Sequence, residues 1–190
     1  MKVYTIFAGV NGAGKTSIYK SIYYNENKDE KRINTDEMVA KIGSWQDDNL
    51  QIKCAREAVK LIKHYILEGI SFNQETTLSG KSIIKNIKLA KQNGFYIIMN
   101  YIGVENVEIA KERVRIRISK GGHGISNEAI ERRYIESLVN LNSVIDICDK
   151  INIYDNTEML KIVVSIEKGK IVWKDRKIPD WLHNYFKNIY

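Results

Sequence analysis

The octapeptide Gly9-Val10-Asn11-Gly12-Ala13-Gly14-Lys15-Thr16 constrains this chain most, because it fits G-x-x-x-x-G-K-[ST] at every fixed position. The run Val3-Tyr4-Thr5-Ile6-Phe7-Ala8 before it is short, apolar and β-prone, and reads as a buried strand; a helix is predicted over residues 15–24. Strand, glycine loop and helix in that order make a phosphate cradle. The glycines let backbone N–H groups turn inward around anionic oxygens, and the following helix points its amino end at the same anion. Lys15 is placed to reach the β and γ phosphates and the Thr16 hydroxyl to ligate Mg²⁺. Gly9, Asn11, Gly12, Ala13, Gly14, Lys15, Thr16 and Ser17 are therefore the candidate nucleotide contacts, with ATP and Mg²⁺ the expected ligands.

Beyond the loop, short apolar runs alternate with longer helical patterns. Strands are predicted over residues 32–34, 70–75, 95–101 and 150–155, and helices over 47–68, 79–92, 106–119 and 127–145, with Asp47 or Asp48 and Ser79 as amino-terminal caps. Residues 161–166 and 170–173 flank Glu167-Lys168-Gly169 in a hairpin pattern, and a last amphipathic helix starts near Pro179. Trp173 and Trp181 read as packing for that hairpin and helix. This alternation predicts an α/β fold, a P-loop three-layer sandwich with a mainly parallel sheet and a carboxy-terminal β-hairpin and helix. One domain over 1–190 is expected, with a helical lid over about 106–145 and the terminal hairpin and helix over about 160–190. In such folds ligands gather beyond the carboxyl ends of the strands, where Gly9, Asp36, Glu75, Tyr101 and Asp155 all fall.

Composition narrows the class. Hydrophobic residues make up 44% of the 190, enough for a core, and no stretch approaches the roughly 20 apolar residues that a bilayer span needs. Cys54 and Cys148 belong to no CxxC or Cys/His cluster and are expected to be reduced core thiols, so the chain is read as cytoplasmic. The net charge of +7 comes from lysines spread along helix surfaces among acids, which favours a solvated exterior over a nucleic-acid groove. No membrane partner is expected.

Other P-loop classes fit less well. The strand over 95–101 ends Met99-Asn100-Tyr101 without the acids of transporter-type ATPases, Leu78-Ser79-Gly80-Lys81 departs from their signature at its fourth position, and no N-K-x-D motif is present. Kinase chemistry suits the remaining polar residues. Asp36, 21 positions after Lys15, is placed to accept an acceptor hydroxyl's proton. Glu75 suits Mg²⁺-bound water or the acceptor, and Thr76 and Thr77 offer hydroxyls in the next loop. Arg113, Arg117, Arg132 and Arg133 flank Gly121-Gly122-His123-Gly124, a glycine hinge that could bring arginine forks over the transferring phosphoryl; Arg117 and Arg133 are the favoured pair. Asn156 is a candidate contact to the nucleotide base.

Taken in order, the loop 9–16, Ile33-Asn34-Thr35-Asp36, Phe72-Asn73-Gln74-Glu75-Thr76-Thr77-Leu78-Ser79-Gly80, Tyr101-Ile102-Gly103, Arg113 with Arg117, Gly121-Gly122-His123, Arg132-Arg133-Tyr134 and Tyr154-Asp155-Asn156 resemble the zeta toxin family of P-loop kinases, its smaller relatives in particular. The resemblance covers residues 3–156; Val10 stands where that family often has proline. It implies an ATP- and Mg²⁺-dependent kinase, Asp36 as the catalytic aspartate, a UDP-N-acetyl amino sugar such as UDP-N-acetylglucosamine as acceptor, and a small helical antitoxin as partner. A kinase for a nucleoside, nucleotide or antibiotic, and an ATP-dependent nucleic-acid-binding ATPase, remain alternatives.

Overall fold

Five of the apolar runs become parallel strands. In the computed structural model, which describes residues 1–183, these are β1 (Val3–Ala8), β2 (Lys31–Ile33), β3 (Phe72–Thr76), β4 (Tyr96–Gly103) and β5 (Lys150–Asp155). Antiparallel β6 (Lys161–Glu167) and β7 (Lys170–Lys174) extend the sheet, whose order is β2-β3-β1-β4-β5-β6-β7. Ala8 lies opposite both Thr76 and Tyr101, and Gly103 opposite Asp155, so the parallel strands bring their carboxyl ends to one rim.

Alternation along the strands feeds two apolar layers, as a sheet covered on both faces requires. Tyr4, Ile6 and Ala8 of β1 enter one; Phe7 enters the other. The first layer is closed by α3 (Asp48–Glu68), α4 (Lys81–Gln92) and α6 (Asn127–Val144), which contribute Ile62 and Ile66, Ile83 and Ile87, and Leu138 and Leu141 respectively. The second is closed by α1 (Lys15–Ile18) and α5 (Val107–Ser119), through Ile18, Ala110 and Val114. Asp47 caps α3, accepting from the N–H groups of Asn49 and Leu50, and Gly69 ends it in the left-handed conformation at φ 68°.

Local chemistry departs from the sequence expectations at several places. The helix after the glycine loop is regular only to Ile18; a widened turn over Tyr19–Tyr23 follows and sets the Tyr19 and Tyr23 rings edge-on against Phe7, at 5.5 and 5.2 Å between centroids. A short α2 (Thr35–Ala40), unforeseen as an element, follows β2. Ser79 does not cap α4: Gly80 precedes that helix, and the Ser79 hydroxyl is paired with that of Thr77 at 2.7 Å. Trp173 is not a packing residue, because every residue of edge strand β7 is exposed. Trp181, at the start of α7 (Asp180–His183), is buried; its Nε1–H donates to Asp155 Oδ1 at 3.0 Å and its ring fills the place where a Cβ on Gly103 would sit. The remainder of the expected terminal helix lies outside the described residues. Cys54 and Cys148 are buried free thiols, and burial pushes Cys148 up to about 12, with Asp149 adding to the rise. No helix among the described residues is long and apolar enough to cross a membrane.

Phe72 holds the first layer at its centre, fully buried and stacked on Tyr4 at 4.3 Å between centroids. Phe72→Ala is expected to cost about 3–5 kcal/mol in urea denaturation, whereas Phe72→Leu, which keeps most of the volume, costs less than half of that.

Candidate active site

The rim gathers its polar groups around the glycine loop. A Cβ on Gly12 would lie 2.5 Å from the Ala110 carbonyl oxygen, and one on Gly14 2.4 Å from Asn156 Nδ2, so both positions need glycine for close approach as well as for their positive φ. Lys15 is buried and donates its ammonium to the Val10 carbonyl at 3.1 Å, across the mouth of the loop. Burial lowers its pKa; Glu75 and Asp36 oppose that shift, and Arg117 and Arg133 add to it. Ser17 is exposed at the start of α1.

Glu75, at the end of β3, organises the floor. Its carboxylate accepts from the Thr16 hydroxyl at 2.8 and 3.1 Å, from Arg32 Nη2 at 2.7 Å and from Asn34 Nδ2 at 2.9 Å. Arg32 also grips Glu37 and Asn73 and lies over the Tyr19 ring, 3.5 Å from its centroid. Burial works against the Arg32 charge, but the hydrogen bonds and charge of Glu37, followed by Glu75, outweigh it and raise its pKa. Asn34 uses its other amide atom, Oδ1, to cap α2, accepting from the N–H groups of Asp36 and Glu37. The helix cap is thus Asn34, and Asp36 is left with its carboxylate free of that duty.

The Asp36 side chain is 41% exposed and lies 3.5 Å from His123 Nε2. Arg133 donates to Asn11 Oδ1 of the loop at 3.2 Å. Arg117 is bent under the hinge, where a Cβ on Gly122 would meet its Cγ at 2.6 Å, and its Nε and Nη2 are buried without a hydrogen-bond partner. The other two arginines are committed elsewhere. Arg113 donates to the carbonyls of Asn156 and Thr157 at 2.7 and 2.8 Å, and Arg132 pairs with Glu136 at 3.4 Å on the surface. Asn156 itself donates to the Ala13 carbonyl at 2.8 Å, which seats the loop after β5 against the glycine loop.

Asp36, Glu75, Arg117 and Arg133 therefore converge on the loop that carries Asn11, Lys15 and Thr16, with Asn156 in contact with it. Thr76 and Thr77 are close by but spend their hydroxyls locally, Thr76 accepting from the Leu78 N–H and Thr77 pairing with Ser79. That turn holds Leu78 at φ 55°, a rare conformation for a branched side chain, and Asn140 of α6 secures it by donating to the carbonyls of Leu78 and Gly80. Arg32, Asn34 and Asn140 were missed as site residues; Arg32-Ile33-Asn34 reads as strand, and nothing local in the sequence marks it as the partner of Glu75.

The donor set suits Mg²⁺. The Thr16 hydroxyl gives its proton to Glu75, which leaves its lone pairs for a cation, and both are hard oxygen groups beside the phosphate loop. No group of three or more His, Cys, Asp or Glu side chains able to hold a metal occurs among the described residues.

Comparison with known proteins bears on the fold. No protein-family model matches the sequence. An uncharacterized protein of Haemophilus influenzae is 36% identical over 128 residues, which cover 67% of this chain and 89% of that protein. Among solved structures, a chain of the AvrRxo1-ORF1:-ORF2 assembly with ATP superposes with a TM-score of 0.71 at 15% identity, covering 98% of this chain and 63% of that one. A chain from the PezAT chromosomal toxin–antitoxin system of Streptococcus pneumoniae superposes with a TM-score of 0.62 at 20% identity, covering 86% and 70%. This chain thus spans less than two thirds of the AvrRxo1 chain it matches. The chain shares the α/β fold of these two structures, with the mainly parallel sheet flanked by helices that the sequence pattern predicted.

A buried guanidinium with unmet donors costs stability in the ligand-free protein. Arg117→Met is expected to raise the thermal midpoint without nucleotide by about 2–8 °C, corresponding to about 1–2 kcal/mol. A lowered midpoint in scanning calorimetry would show that Arg117 is a structural residue.

Proposed function

We propose that this chain, which belongs to the same family as the uncharacterized Haemophilus influenzae protein, is an ATP-dependent kinase that moves the γ-phosphoryl group to a hydroxyl of a small molecule. The observation that carries the reading is the convergence of Lys15, Arg117 and Arg133 on the glycine loop opposite Asp36, with Arg117 donors buried and unpartnered. Such a cluster of cations suits a polyanion on which charge develops during transfer.

In the proposed mechanism the loop N–H groups hold the β and γ phosphates, and Lys15 exchanges its bond to the Val10 carbonyl for one to phosphate. Asp36 takes the proton of the acceptor hydroxyl as its oxygen bonds to the γ-phosphorus. The bond from that phosphorus to the bridging oxygen breaks, and ADP leaves with the electron pair. Arg117 and Arg133 neutralise the equatorial oxygens during transfer. The Thr16 hydroxyl and Glu75 would hold Mg²⁺, which would supply charge neutralisation to the phosphates. Asn156 flanks the nucleotide from the β5 side. Residues 106–145 serve as the lid, and the turn at Thr76 and Thr77 borders the acceptor.

For the acceptor we favour a nucleotide sugar such as UDP-N-acetylglucosamine, on the strength of the zeta-toxin landmarks. Two structural neighbours come from two-component assemblies, one described as a toxin–antitoxin system; this supports a small helical antitoxin as partner here.

The test is ³¹P NMR of reactions with ATP, Mg²⁺ and a panel of nucleotide sugars, nucleosides, nucleotides and aminoglycosides. A new phosphomonoester resonance is expected with a nucleotide sugar. Lys15→Ala should abolish it, and Asp36→Asn should lower kcat by about 10²–10⁴-fold with the KM for ATP unchanged. Full kcat in Asp36→Asn would remove the base assignment, and hydrolysis that depends on added DNA or RNA would redirect the reading to a nucleic-acid ATPase.

A further inference from the structure

His123 stands where three features meet, and only the first of them is announced by its sequence position. It lies on the glycine hinge between α5 and α6, its Nε2 is 3.5 Å from Asp36 Oδ1, and its ring packs beside Trp45 of the α2–α3 connection, 5.6 Å between centroids. Its side chain is only 17% exposed, and Nδ1 is buried without a partner. The Arg117 guanidinium, tucked beneath neighbouring Gly122, carries the complementary orphans, two buried donors. The hinge therefore presents one ring nitrogen to Asp36 and keeps the other buried.

The protonation state follows from the surroundings. Burial holds His123 below the usual imidazole range; Asp36 on α2 opposes this, while Arg117 on α5 and Arg133 on α6 reinforce it. A lowered pKa keeps the ring neutral near pH 7, and the carboxylate beside Nε2 favours the tautomer with its proton there. A neutral donor orients a carboxylate without the loss of basicity that a cationic neighbour imposes. Asp36 needs such a support: it projects from a six-residue helix, and among the described residues no hydrogen bond reaches its carboxylate, while a contact as long as the one to His123 is of the kind that tightens in a substrate complex.

We propose that His123 is the positioning residue for Asp36, its Nε2–H holding Oδ1 so that Oδ2 faces the acceptor hydroxyl. Because the same residue rides on the hinge, Asp36 is aligned only when Arg117 and Arg133 are over the phosphates, so base and transition-state charges come into register together. Transfer before closure, and loss of phosphoryl to water, are suppressed by that coupling. The inference rests on the kinase reading above and adds to it a residue and a coupling.

Glutamine can place its Nε2 where the histidine donor stands, asparagine cannot reach it, and phenylalanine keeps the packing against Trp45 without any donor. With the acceptor found in the ³¹P screen, His123→Gln is expected to keep kcat within about threefold, while His123→Asn and His123→Phe lose about 10–100-fold with the KM for ATP changed less than twofold. The wild-type kcat should fall on the acid side as His123 gains its proton, because the charged ring draws Asp36 into an ion pair, and the His123→Gln profile should lack that fall. Full kcat in His123→Phe, or equal losses in all three variants with parallel drops in thermal midpoint, would overturn the proposal in favour of packing alone. Separately, NMR titration of the His123 ring should show its pKa lowered further in Asp36→Asn, since Asp36 is the group that raises it; an unchanged titration would also overturn the pairing. If wild-type protein transfers phosphate to nothing while this NMR coupling is present, it is the kinase reading that has failed.

Discussion

One carboxylate ties the site together. Glu75 is drawn in by Thr16, Arg32 and Asn34, and those three residues stand at the start of α1, in β2 and at the entrance to α2. A side chain only 10% exposed can stay charged because three donors, one of them a guanidinium, meet it. The geometry of the phosphate loop and the position of Asp36 are thereby coupled through a single buried anion. Removing it would leave the Arg32 charge half-paired and release Asn34 from one of its two roles, so the floor behaves as a unit in which single contacts cannot be valued separately.

Above that floor the charges are arranged differently. Among the arginines of α5 and α6, Arg113, Arg115 and Arg132 are each satisfied by carbonyls or carboxylates, and they serve structure or solubility. Among the described residues Arg117 and Arg133 meet no carboxylate at salt-bridge distance; both add to the lowering of the Lys15 pKa that burial begins, and burial, followed by Arg132, lowers that of Arg133. Folding tolerates this unfavourable concentration of like charge because the sheet and its two apolar layers are stable without it. Where positive charge is left uncompensated beside inward-facing amides, a polyanion gains more by binding than it would on a neutralised surface.

Much of this could be read from the sequence because it is local. The G-x-x-x-x-G-K-T spacing, the alternation of strands and helices and the Gly69 stop each depend on residues close together in the chain, and each formed at or within a few residues of its expected place. What sequence pattern could not show was partnership across long separations. Arg32 and Glu75 are 43 positions apart, Arg133 and Asn11 122 apart. Four arginines near one hinge look alike in a sequence; only packing sends Arg113 to the β5 loop, Arg132 to solvent and Arg117 beneath Gly122. Ser79 had the right chemistry for a cap, but the turn that forces Leu78 to positive φ points its hydroxyl at Thr77 instead.

The same contacts limit how the α5–α6 pair can move if it closes over substrate. The first half of α5 is fixed to the nucleotide side: Gly12 abuts the Ala110 carbonyl, Arg113 holds the carbonyls of Asn156 and Thr157, and Asn156 holds Ala13. α6 is held in its second half by Leu138 and Leu141 in the core and by Asn140 on the turn after β3. Between these anchors lie Arg117, the glycines at 121, 122 and 124, His123 and Arg133; Asp36, Trp45 and Asn11 flank the stretch, and Ile125 and the buried Ile130 tie its second part to the other apolar layer. Hinges form where few packed contacts must break. Closure would therefore bend residues 117–124 rather than swing both helices, and a short bend suffices, because the groups it must deliver already stand at the loop.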